Sequence, residues 1–69
     1  MIKTTYDPVA DVMAVDFGPE GAVYDGSEEV SPGITVQVDS EGRVIGIEIE
    51  AVSLRMAGTY GAPAKAAAE

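Results

Sequence analysis

Gly33 to Ala51, GITVQVDSEGRVIGIEIEA, is the stretch whose reading decides the fold. Ile34, Val36 and Val38 alternate with Thr35, Gln37 and Asp39, and Ile45, Ile47 and Ile49 alternate with Gly46, Glu48 and Glu50. A period of two with one apolar row marks a half-buried antiparallel pair of strands. Asp39-Ser40-Glu41-Gly42 between them supplies turn chemistry, because Asp bonds its own backbone and Gly tolerates positive φ. Pairing Val38 with Arg43, Val36 with Ile45 and Ile34 with Ile47 sets both apolar rows on one face. A slip of one residue would place Ile34 and Val36 against Glu48 and Gly46, so the pattern selects the first register.

Upstream, Ile2 to Tyr6 reads as a short strand, and Asp7-Pro8-Val9-Ala10-Asp11 as one helical turn or a type I turn. Asp7 is placed to cap it, and Pro8 stands where a missing N–H costs nothing. Val12 to Phe17 is a second strand with the row Met13, Val15, Phe17; Val12 and Ala14 make its other side partly apolar. Gly18-Pro19-Glu20-Gly21 breaks the chain. Ala22 to Val30 shows no clean face, and its acidic residues and Gly26 predict an irregular edge strand bulged at Gly26. Val52 to Met56 reads as an extension of the last strand or a short helix, with Leu54 and Met56 packing on the sheet. Residues 57–69 form a small-residue tail, whose Ala64 to Ala68 favours helix but is too short to hold one alone.

The chain has 69 residues, which is one small domain over 1–56 plus that tail. A domain of this size buries only about 60% of its unfolded surface and is marginal alone. Cysteine and histidine are both absent, so disulfides, thiolate or imidazole metal sites and every His-dependent catalytic arrangement are excluded. Self-association is the remaining aid to stability. The predicted architecture is therefore mainly β: a small antiparallel meander sheet of four or five strands. One face is covered by a short C-terminal segment or by the partner in a homodimer.

Net charge is −8, with Lys3, Arg43, Arg55 and Lys65 the only cations. No cluster of Lys or Arg exists to displace nucleic-acid counterions or to hold an anionic bilayer, so neither nucleic acid nor membrane is an expected partner. The N-terminus has no apolar leader-like run and no stretch approaches the ~20 apolar residues of a span, which makes cytoplasmic residence the expectation.

Three patterns in order carry a family resemblance: Tyr6-Asp7-Pro8-Val9-Ala10-Asp11, Val30-Ser31-Pro32-Gly33-Ile34, and Asp39 to Ile49. Together, over roughly residues 4 to 52, they resemble the YuzE-like domain of small bacterial and archaeal proteins, whose function is unassigned. The second strand departs from that pattern in lacking an aromatic at its middle. The resemblance implies a compact β-rich domain, and an accessory or antitoxin role beside small toxin-like proteins.

The motif residues Tyr6, Asp7, Asp11, Gly46 and Glu48 are the candidate site cluster. Asp7, Asp11, Asp16, Glu48 and Glu50 are the groups able to divide acid and base roles or to hold Mg²⁺ or Ca²⁺ through oxygen. A cap, a turn residue and an outer-face glutamate account for Asp7, Asp11 and Glu48 without chemistry. Ser31 has no base, and Gly42 and Gly46 do not form a phosphate loop, since no lysine follows and no helix begins there. Gly46 reads instead as a strand glycine that lets a neighbouring aromatic or backbone approach closely. The expectation is thus a non-catalytic interaction module without cofactor, antitoxin-like, taking a small basic protein as partner. The alternative is a metal binder or hydrolase built on Asp7, Asp11 and Glu48.

Overall fold

A computed structural model describes residues 2–61. Five strands and one short helix follow each other as β1 (Lys3–Asp7), β2 (Val12–Asp16), β3 (Tyr24–Ser31), β4 (Ile34–Asp39), β5 (Val44–Glu50) and α1 (Val52–Met56). All strand pairings are antiparallel, in one sheet of order β1-β2-β5-β4-β3. The fold is mainly β, as the alternation predicts. The meander holds within β1–β2 and within β3–β4–β5, and the two pieces join through β2 and β5. The link between β2 and β3 must therefore cross three strand spacings, about 14 Å. Its seven residues, 17–23, reach up to about 23 Å when extended and suffice. No helix among the described residues is long and apolar enough to cross a membrane.

The β4–β5 register differs from the sequence expectation. The partners are Val38 with Val44, Val36 with Ile47 and Ile34 with Ile49, with an irregularity between Gln37 and Val38. Two single-residue steps produce this. The loop is one residue longer than a two-residue turn: the Asp39 N–H donates to the Arg43 carbonyl (2.9 Å) and the Gly42 N–H to the Asp39 carbonyl (3.0 Å), with Gly42 at φ 81°. A loop of this length with a left-handed glycine is the common three-residue hairpin connection. Alone it would flip every side chain of β5 to the wrong face. A bulge at Ile45, which faces no single partner between Gly46 and Val44, removes the error. Ile47 and Ile49 thus return to the face of Val36 and Ile34, and Val44 takes the place opposite Val38.

Alternation and register set the two faces. One carries the rows Tyr6–Met13–Ile49–Ile34 and Thr4–Val15–Ile47–Val36–Glu28. The other carries Thr5–Ala14–Glu48–Thr35–Glu29, then Lys3–Asp16–Gly46–Gln37–Ser27, and Asp7, Val12 and Glu50 at the end. Among the described residues this is a single layer. Met13, Val15, Ile34, Val36, Ile47 and Ile49 are only half-buried, and Ile45 is the one buried apolar side chain among the described residues, at 9% exposed. It owes this to the β2–β3 link: the Phe17 N–H donates to the Ile45 carbonyl (3.0 Å), and Gly18 passes against its side chain.

β3 is an edge strand, with irregularities on either side of its middle, between Tyr24 and Gly26 and between Glu29 and Ser31. Residues 52–56 form the helix, not a strand extension. They do not pack Leu54 and Met56 on the sheet, for these are 50% and 84% exposed. The helix is tethered instead to the end of the sheet. Arg55 donates through Nε to the Glu50 carbonyl (2.7 Å) and through Nη2 to the Pro32 carbonyl (2.8 Å), and its guanidinium stacks 3.8 Å from the centre of the Tyr60 ring. These bonds act at the end of the sheet, and among the described residues no second layer covers its apolar face. The tail expectation for residues 62–69 lies outside the described residues.

Candidate functional site

The motif residues occupy three places. Asp7 closes β1 and its Oδ1 accepts from the N–H groups of Val9 (2.9 Å) and Ala10 (3.3 Å), as a capping carboxylate does. The turn then ends with the Asp11 N–H donating to the Asp7 carbonyl (2.7 Å), and Asp11 takes the left-handed conformation at φ 60° that Asp tolerates better than most residues.

That conformation turns Asp11 into a junction. Its carboxylate accepts from Tyr6 Oη (2.7 Å), from Ser53 Oγ (2.7 Å) and from the Ser53 N–H (3.1 Å), while its carbonyl accepts from the Val52 N–H (3.2 Å). The N-cap of helix α1 is Ala51, which has no side chain able to cap it. Asp11, 42 residues before Ser53, does that work. The Ser53 hydroxyl, followed by the Tyr6 hydroxyl, holds the Asp11 carboxyl below the usual carboxylate range, and the Asp11 bond raises the Tyr6 phenol in return. Ser53 is the residue that sequence reading misses, since nothing local links it to the Asp-Pro turn.

Gly46 and Glu48 lie elsewhere. Both belong to the polar face, opposite Asp16 and Ala14 of β2, while Tyr6 belongs to the apolar one. Gly46 is a point of close approach: a Cβ there would stand 2.7 Å from Gln37 Oε1 and 3.1 Å from the Val15 carbonyl oxygen. The neighbour it admits is an amide side chain and a backbone, not an aromatic ring. The five motif residues thus do not converge on one site. Among the described residues, no three Asp or Glu stand close enough to hold a metal ion.

A fourth carboxylate, Asp39, is the most buried charged group of the described residues, at 5% exposed. It accepts from the N–H groups of Glu41 and Arg43 (2.9 Å each) and from Arg43 Nε (2.9 Å), which builds the β4–β5 loop around it. The Arg43 N–H is the main cause that lowers its titration, against the opposing effect of desolvation.

Asp11 and Asp39 therefore both bind their proton less readily in the folded chain than in the unfolded one. Groups lowered in this way stabilise fully above their unfolded values, and that contribution is lost as pH falls through the folded ones. The melting temperature is expected to hold from neutral pH to about pH 5 and to fall below about pH 4. In Asp39→Asn the midpoint is expected lower at neutral pH and the acid fall shallower. A thermal melt at each pH checks it, and parallel curves for the two chains would contradict it.

Electrostatically the two faces differ. The polar face carries Asp7, Asp16, Glu29, Glu48 and Glu50, with Lys3 as its one cation among the described residues. Arg43 is committed to Asp39 and Glu41, and Arg55 to backbone carbonyls.

A family of proteins of unknown function, DUF2283, matches residues 3–53. This span runs from the first residue of β1 into α1 and includes every strand and the Asp11–Ser53 junction. The chain belongs to DUF2283. The DUF2283 match thus covers the whole sheet and carries no activity with it. Comparison with curated proteins and with solved structures gave no match.

Proposed function

We propose that this DUF2283 chain is a non-catalytic protein-interaction module that receives a small basic protein on the polar face of its sheet. The observation that supports it is the segregation of charge: five carboxylates share that face with one lysine, while both arginines of the described residues are spent on internal contacts. Such a face steers a cationic partner and rejects anionic ones. The carboxylates of Asp7 and Asp11 are already engaged by the chain's own donors, which leaves them structural. An antitoxin-like role suits the reading and is in keeping with the YuzE-like resemblance. No DNA-binding segment accompanies it among the described residues, so the role proposed is neutralisation by contact.

The test is affinity capture of the tagged chain from its native cell extract at low and at high salt. One small basic protein is expected at low salt, weakened at high salt, and retained at least about tenfold less by a chain carrying Glu48→Gln and Glu50→Gln. Return of the bait alone, or a partner indifferent to both salt and the two substitutions, would refute the reading.

A further inference from the structure

We infer that the apolar face of the sheet is the contact surface of a homodimer, with a second copy of this chain packed on it face to face. The inference goes beyond the basic-partner reading and does not rest on it, since the two use opposite faces of the sheet.

The face has the area a dimer needs. Five strands spaced about 4.8 Å apart, each about six residues of 3.3 Å, present a footprint of roughly 480 Å². Two copies then remove about 960 Å² from water before side-chain relief is counted, close to the lower bound of about 1,000 Å² for a specific interface. Part of what the face presents is unspent, for Val36, Ile47, Val15 and Ile49 are incompletely buried and Tyr6 is 49% exposed. Sheets that pack face to face lie about 10 Å apart with interdigitating rows, and such a second layer is what a sheet with one apolar face requires.

Charge selects the occupant. Two chains of −8 repel each other, so copies can associate only where carboxylates are absent. The two central rows carry no formal charge from Tyr6 to Ile34 and from Thr4 to Val36, and Glu28 enters only on the β3 edge. The opposite face, with five carboxylates, cannot meet its own copy. The β3 edge is closed to a copy by Asp25, Glu28, Glu29 and two irregularities. A basic partner gains nothing from an uncharged apolar surface. A second copy matches it row for row about a twofold axis, where every contact counts twice.

The measurement is sedimentation equilibrium of the whole 69-residue chain from low micromolar to millimolar concentration. A mass of twice 7.1 kDa is expected at the upper end. Val36→Thr keeps the β-branched shape and is expected to weaken dimerisation about tenfold or more, since the substitution enters the interface twice. Ile47→Lys, at the centre of the face, is expected to leave only monomer. Circular dichroism checks that each variant is folded, and Val36→Thr decides the matter should Ile47→Lys fail to fold. Glu48→Gln, on the polar face, is expected to leave the mass unchanged, which separates this result from the fate of the basic-partner reading. A monomer at every concentration would overturn the inference. So would a dimer that Val36→Thr leaves as tight as before, which would place the contact on an edge.

Discussion

Ile45→Ala is expected to cost about 2–4 kcal/mol, the usual range for truncating a buried isoleucine. The loss is large because the whole domain is worth only about 3–9 kcal/mol at 0.05–0.15 kcal/mol per residue. Most apolar side chains of the sheet are incompletely buried, so their truncation forfeits less. Ile45 differs because its bulge and the crossing of Phe17 and Gly18 enclose it from two sides. Urea denaturation checks the figure against Val30→Ala, at a side chain 56% exposed on the β3 edge. Equal midpoints for the two variants would mean that the β2–β3 link does not close over Ile45. Ile45→Val, which removes one methyl group, is expected to cost about 0.5–1.5 kcal/mol.

Gly46→Ala is the second large effect, and it arises from overcrowding instead of a cavity. The new methyl group would meet Gln37 Oε1 at 2.7 Å and the Val15 carbonyl oxygen at 3.1 Å. The first contact is with the end of a flexible side chain and yields readily. The second is with backbone in the β2–β5 ladder, at the one seam that joins the two halves of the sheet. The expected cost is about 1–3 kcal/mol. Adding Gln37→Ala is expected to recover only part of it, with a coupling of roughly 0.5–1 kcal/mol in a double-mutant cycle. If the double variant is as stable as Gln37→Ala alone, the carbonyl contact carries no weight and the crowding is all with the glutamine.

How much of this was legible in the chain varies with the range of the interaction. The hairpin rows, the edge character of β3 with an irregularity next to Gly26, and the capping turn at Asp7 all follow from neighbours within a few residues. Periodicity, turn chemistry and capping act over that distance. The β4–β5 register was legible only in part. Parity was correct, because two apolar rows must share a face, but a shift of two residues preserves parity, and alternation cannot distinguish the two. The loop length and the bulge at Ile45 decided it. The candidate cluster was legible as a set of residue types and not as a place. The Tyr6 and Asp11 side chains meet because the turn after Asp7 brings them together, whereas Asp7, Gly46 and Glu48 belong to the other face by strand parity.

Sequence alone determined which side of β2, β4 and β5 is apolar, that the chain is one small antiparallel sheet, and that thiol and imidazole chemistry are absent, since each follows from residue identity and local period. The tertiary structure alone decided that β5 lies beside β2, that Ile45 is the enclosed side chain, and that Asp11 caps a helix 42 residues further on. Alternation tells a strand which face it shows and never which strand it lies beside. That choice is made by loop reach and by the fit of Gly46 under Gln37 and Val15, which exist only once the chain has folded.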